Sequence, residues 1–157
     1  MRDSDWLAVR EIYRQGIETG DATFQVEVPE WAEWDSAHLR HSRLVAGARE
    51  TVAGWAALSP VSRRACYAGV AEVSIYVAAA YRGRGLGSRL LAALVAESEA
   101  NGVWTLQAAI FPENRASIAL HEGLGFRQVG VRERIAQRGG VWRDTVITER
   151  RSKVVGL

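Results

Sequence analysis

The stretch from Glu72 to Leu94, EVSIYVAAAYRGRGLGSRLLAAL, constrains this chain more than any other. An apolar, β-rich run ends at Val77. A basic glycine turn follows, Arg82-Gly83-Arg84-Gly85-Leu86-Gly87, and then Leu86, Leu90, Leu91, Leu94 and Val95 recur at helical spacing. Strand, glycine loop and helix start together make a device for holding phosphate. Glycine lets the backbone turn with positive φ and approach an anion closely. The first amides of the following helix have no intrahelical acceptor, and the helix dipole adds positive potential at that end. A Walker loop would end in Gly-Lys-Ser/Thr, and there is no lysine here. A dinucleotide fingerprint would carry its third glycine where Ser88 stands. Arg82 and Arg84 suit a more highly charged ligand.

The 157 residues read as one domain, 1–157, large enough for a real core. The net charge is only +2, and basic and acidic residues are interspersed, which argues against a dedicated nucleic-acid binder. With Cys66 as the one cysteine, neither an intramolecular disulfide nor a cysteine metal cluster is open to the chain. Cys66 reads as a small buried hydrophobe rather than a covalent nucleophile. MRDSDWLAVREIYRQ is too charged for a signal peptide, and no run has the length of a membrane span. The expectation is a soluble cytoplasmic protein with no membrane partner and no metal.

Trp6, Val9, Ile12, Tyr13 and Ile17 form an apolar stripe, predicting a helix over 5–18. Pro29 marks the entrance of a second helix, 30 to about 41, with Trp31 and Trp34 on one face as a packing stripe. Strands are expected at 44–46, 51–58 and 67–77, with a hairpin turn at 47–50 and Pro60 ending the second strand. A helix from about 85 to 100 follows, then a strand over 105–110. Asn114 then caps a helix over 115–122, and strands at 126–134 and 143–150 are joined through 137–140. This order implies an α/β fold: a mixed, mostly antiparallel sheet of six to seven strands with helices on both faces.

The spacing Arg82-x-x-Gly85-x-Gly87 resembles the pyrophosphate loop of the GNAT acetyltransferase superfamily. The resemblance extends to Asn114-Arg115-Ala116-Ser117 through Leu120-His121-Glu122-Gly123-Leu124-Gly125-Phe126. Within that superfamily the chain is similar to the phosphinothricin N-acetyltransferase family. Further blocks carry this likeness: Thr23-Phe24 with Pro29 and Trp34; Ser59-Pro60 with Tyr67 and Glu72 to Val77; Phe111-Pro112; and Arg138-x-Gly140-x-Trp142-x-Asp144. Gly69 and Val70 depart from the family pattern beside the glutamate.

The resemblance implies a sheet splayed at its centre, acetyl-CoA as cosubstrate and a homodimer. It implies a small amino acid or analogue as acceptor, of phosphinothricin, methionine sulfoximine or methionine sulfone type. Main-chain groups of Ile75, Tyr76 and Val77, the loop Arg82, Gly83, Arg84, Gly85, Leu86, Gly87 and Ser88, and Asn114, Ser117 and His121 would then hold the cosubstrate. Amides from Val77 to Ala79 would polarise the thioester carbonyl. Glu72, a carboxylate in an otherwise apolar strand, is the candidate general base, acting through water. His121 stands where many superfamily members carry an acidic tyrosine and is the candidate general acid. Thr23, Phe24, Trp34, Glu72, Ser74, Tyr76, Arg138 and Trp142 are the candidates for the acceptor pocket, with Arg138 to clamp a carboxylate. Two alternatives stay open: acetylation of protein or peptide amines, and a non-catalytic acyl-CoA-binding module.

Overall fold

A computed structural model describes residues 1–48 and 51–157. A 3-10 turn over Asp3–Asp5 leads into α1 (Trp6–Glu18), and α2 (Trp31–Ala37) follows. Then come β1 (Leu44–Ala48), β2 (Thr51–Pro60), β3 (Val70–Val77) and α3 (Leu86–Ala100). The chain continues through β4 (Thr105–Ile110), α4 (Arg115–Glu122), β5 (Arg127–Arg138) and β6 (Val141–Arg151). The strands form one six-stranded sheet in the order β1-β2-β3-β4-β6-β5. Every neighbouring pair is antiparallel except β3 with β4. This is the mixed, mostly antiparallel α/β sheet that the sequence implied.

The parallel pair is short. Val70 faces Thr105, Ala71 faces Leu106 and Glu72 faces Gln107, and there the pairing stops. β3 nevertheless stays paired with β2 out to Val77, and β4 with β6 out to Ile110. The sheet therefore forks at its centre. Its closed end is pinned by the Trp104 and Thr105 amides, which both donate to Gly69 O at 2.8 and 3.0 Å.

Helices cover both faces. Leu90, Leu91, Leu94 and Val95 of α3 pack on Ala56, Leu58, Ala71, Val73 and Leu106, with Ile118 and Leu120 of α4 alongside. On the other face Trp6, Val9 and Ile12 of α1 meet Trp34, Trp55 and Ala57. Ala53 to Leu58 are all buried, as expected for a strand covered on both sides. The indoles are the bulk of the second cluster: Trp6 lies 5.5 Å from Trp34, and Trp34 lies 5.7 Å edge-on to Trp55. Each buried indole removes on the order of 200 Å² from water, roughly 5 kcal/mol.

Several features differ from expectation. The second helix ends at Ala37 rather than near His41, because side chains take over its last carbonyls. His38 Nδ1 bonds Trp34 O at 2.6 Å, and the Arg43 guanidinium reaches Asp35 O and His38 O at 2.8 Å each. The central strand begins at Val70, not Tyr67: Ala65–Tyr67 is a 3-10 turn, and Gly69 lies flat under the Trp104 ring, where a Cβ would fall 2.1 Å from the indole. The last hairpin is longer than expected and turns at Gly139-Gly140, both with positive φ. Cys66 is exposed, not buried. Of the expected turn at 47–50, Gly47 and Ala48 belong to β1, while Arg49 and Glu50 lie outside the described residues.

Candidate active site

The fork between β3 and β4 opens into a cavity of about 880 Å³, walled by the ends of both strands, the segment after α1, the loop before α3, and α4. On the fork side, the edge of β3 from Val73 to Val77 has no partner strand, so its main-chain groups face the cavity. At the far end stands the start of α3. Gly85 precedes the helix with φ 73° and Gly83 has φ 72°. A Cβ at either would meet nothing within 4 Å, so conformation, not crowding, calls for glycine there. No side chain caps this helix and no acid sits in its first turn, leaving the first amides of a 15-residue helix as open donors. That is the chemistry a diphosphate requires, joined to an unpaired strand edge that an amide-bearing arm can complete.

Glu72 stands at the fork itself, half-buried and lining the cavity. Gln107 Nε2 donates to its Oε2 at 2.8 Å. Ser74 and Tyr76 follow on the same face of β3 and line the same cavity, as do Thr23 and Phe24. Tyr76 is stacked on Trp55 at 4.8 Å and lies 4.8 Å from Tyr13. Burial pushes both phenols above their ordinary 10.0, so both stay neutral donors at pH 7.

Gly16 makes that arrangement possible. A Cβ there would fall 2.5 Å from Tyr76 Cδ1, so the Tyr76 ring lies directly against the backbone of α1. Replacing a glycine inside a helix by alanine ordinarily stabilises by up to about 1 kcal/mol. For Gly16→Ala we expect the opposite sign, a loss of about 1–2 kcal/mol from overpacking, with a raised KM for a substrate held against the Tyr76 ring as that ring shifts. Chemical denaturation together with steady-state kinetics checks both.

Ile75, Val77, Arg82, Gly83, Gly85, Leu86, Gly87, Ser88, Asn114, Ser117 and His121 also line the cavity. Asn114 caps α4, accepting from Ser117 N at 3.1 Å, and donates to Asp21 O at 3.3 Å. Other expected residues lie elsewhere. Arg84 is exposed beside the loop, its guanidinium 5.8 Å from the Tyr81 ring. Trp34 is 1% exposed within the indole cluster and stacks on His38, so it is core and not pocket. Trp142 is an exposed residue near the start of β6, outside the cavity wall. Arg138 does not present a clamp either: it donates to Ile17 O at 2.7 Å and Thr23 O at 3.1 Å, fastening the segment that carries Thr23 and Phe24. The Ala78 and Ala79 amides, expected to polarise a carbonyl, donate to Ala53 O and Gln15 Oε1. Gly69 and Val70 sit at the closed end of the fork, away from the cavity wall.

His121 is 1% exposed. Its Nδ1 lies 2.8 Å from Ser117 O, and only a protonated Nδ1 satisfies that carbonyl. Nε2, buried without a protein partner, is then an acceptor. Burial holds the ring below its ordinary 6.5, the Ser117 carbonyl partly offsetting it, so the ring is neutral at pH 7. A neutral ring whose free nitrogen bears no proton cannot serve as general acid. In the free protein this ring therefore offers a buried acceptor nitrogen and no proton to donate.

His38 is also lowered from 6.5 by burial. Histidines that are harder to protonate in the folded state bind fewer protons there than in the unfolded chain. Their contribution is whole above the unfolded value near 6.5 and is lost as pH falls through the folded values. The Asp35 and Glu99 carboxyls are held below their usual range by Arg43 and Arg150, and their contribution fails only at still lower pH. We therefore expect the melting temperature to start falling below about pH 6.5, and His121→Gln to flatten the first part of that fall; melting scans from pH 7.5 to 5 check this.

The sequence pattern gave no place at the site to Tyr13, Gly16, Asp21, Tyr81, Gln107 or Phe111, all of which lie in or beside it. Gln107 alone left a visible signal, a polar side chain in the middle of the apolar strand TLQAAI.

The forked sheet gives a cavity that runs from a strand carboxylate along a free strand edge to an uncapped helix start, with groups suited to an amide-bearing arm and a diphosphate. The model of the Acetyltransferase (GNAT) family matches residues 6–126. The chain belongs to this family, an acetyltransferase family whose cosubstrate is acetyl-CoA. It is 33% identical to a phosphinothricin N-acetyltransferase of Alcaligenes faecalis, across 96% of this chain and 79% of the relative. Among solved structures, ribosomal-protein-alanine N-acetyltransferase from Brucella melitensis superposes with TM-score 0.90 at 30% identity, covering 97% of both chains. A phosphinothricin acetyltransferase from Sinorhizobium meliloti, solved in complex with acetyl-CoA, gives TM-score 0.85 at 32% identity over 96% of this chain and 85% of the other.

Proposed function

We propose that this chain moves the acetyl group of acetyl-CoA to the primary amine of a small amino acid or analogue, of phosphinothricin, methionine sulfoximine or methionine sulfone type, with Glu72 as general base. The observation that carries this reading is the position of the Glu72 carboxylate at the fork, on the wall of a cavity that ends at the open amides of α3. The Arg82 to Ser88 segment would hold the diphosphate and the free edge of β3 the pantetheine arm. Bound acetyl-CoA supplies an activated acyl carbon with thiolate as leaving group. An amine must be neutral to attack it, and an aliphatic amine is mostly protonated at pH 7. Glu72 takes that proton, directly or through one water, before attack; as the neutral amine forms the C–N bond and the C–S bond breaks, the second proton on nitrogen passes to solvent. The leaving sulfur takes its proton from solvent, since the open nitrogen of His121 carries none. Thr23, Phe24, Ser74 and Tyr76 form the acceptor end.

Mixing the protein with acetyl-CoA and each of these amines and titrating released thiol tests the reading; silence across a broad amine panel would sink it. A second reading, transfer to a peptide α-amine, is favoured by the close superposition on an N-acetyltransferase of a ribosomal protein's alanine. Competition between an alanine-ended peptide and free amino acids separates the two.

We also place the protein in the cytoplasm, where acetyl-CoA is at hand, and propose a homodimer. No helix among the described residues is long and apolar enough to cross a membrane. β5 is an edge strand of 12 residues with Val129, Val131 and Ile135 about half exposed, and Val141 and Trp142 of β6 lie beside it. An apolar edge of that length invites a second copy. Light scattering giving a monomer mass at micromolar concentration would overturn the dimer.

A further inference from the structure

Glu72 belongs to a row of polar side chains that crosses the sheet at the fork. Ser59 of β2 faces Glu72 of β3, Glu72 faces Gln107 of β4, Gln107 faces Glu149 of β6, and Glu149 faces Arg127 of β5. Directly paired residues share a face of the sheet, and strands lie about 4.8 Å apart. Gln107 therefore stands between two carboxylates. Arg127 Nη2 neutralises Glu149 at 2.8 Å, whereas the Gln107 amide turns its N–H to Glu72. Among the described residues no other side chain bonds Glu72, and no cation pairs with it. The pair Glu72 and Gln107 is also the last rung before the strands part, so beyond it β4 gives the carboxylate no further support.

We propose that Gln107 is a positioning residue for acyl transfer: its carboxamide fixes Glu72 Oε2 at the fork and leaves Oε1 turned to the cavity to accept the proton. This rests on the reading of Glu72 as base. The residue type fits the task. A neutral donor orients a carboxylate without cancelling its charge, as an arginine would, and without sharing its proton, as a second acid would. Because Gln107 is in the paired part of β4, its own backbone is held by β3 on one side and β6 on the other. The other titratable or charged groups on the cavity wall are Tyr13 of α1, Asp21, Tyr76 of β3, Tyr81, Arg82 and His121 of α4. None of these makes a hydrogen bond to Glu72.

The test compares the full-length wild type, Gln107→Met and Gln107→Asn, with Glu72→Gln as reference, each confirmed folded by its melt. The kcat and the KM values for an accepted amine and for acetyl-CoA are measured. Methionine cannot donate, and asparagine is one methylene too short to reach. Both variants should lower kcat about 10-fold, with the KM for acetyl-CoA unchanged. A folded variant with the wild-type kcat, while Glu72→Gln is inactive, overturns the role of Gln107 alone. A fully active Glu72→Gln overturns the base assignment, and the role of Gln107 with it.

Discussion

Replacing Glu72 with glutamine is expected to lower kcat by about 10²- to 10⁴-fold, the usual span for losing a general base, while acetyl-CoA binds as before. The substitution is close to isosteric. Its amide oxygen still accepts from Gln107 Nε2, now 2.8 Å from the carboxylate, and the strand register is untouched. What it removes is the ability to take a proton from the attacking amine. Calorimetry with acetyl-CoA and single-turnover thiol release separate the two effects. If the variant turned over at the wild-type rate at pH 7, the amine would have to be deprotonated elsewhere. The other carboxylate on the wall, Asp21, would then become the candidate.

Ser88→Asp should move stability and affinity in opposite directions. Ser88 lies in the exposed first turn of α3, where no acidic residue stands at present. An aspartate there would satisfy the open amides and complement the dipole, stabilising the fold by about 0.3–1 kcal/mol. The same carboxylate would occupy the anion site. A unit charge about 5 Å from phosphate at an effective dielectric near 20 costs about 3 kcal/mol, so acetyl-CoA should bind about 100-fold more weakly. A raised melting temperature with lost coenzyme binding would show that these amides, left open in the structure, serve the diphosphate. Unchanged affinity would move the phosphates off this helix, and the assignment of the whole loop would fail. Neither result depends on which amine is the acceptor.

The site was partly legible before any coordinates. Glycine spacing in the Arg82 to Gly87 turn points to a strand–loop–helix element with open amides, and of its residues all but Arg84 line the cavity. A lone acid in an apolar strand marks Glu72 by the same local logic. Aromatic residues were harder to place. Trp34 and Tyr76 look alike in sequence as large apolar side chains, yet one is sealed among indoles and the other lies on the cavity wall. Arg138 had the charge for a carboxylate clamp, but its donors are committed to carbonyls more than 100 residues earlier in the chain.

By itself the sequence determined the order of elements, the glycine turn that opens the helix start and the carboxylate on the strand leading into it, because these depend on periodicity, φ and charge within one segment. Only the tertiary structure decided where β3 and β4 part, that Gln107 meets Glu72 across that boundary, and that Gly16 lets Tyr76 lie on α1. Those are meetings of distant segments, fixed by sheet register and packing, and no local pattern encodes them.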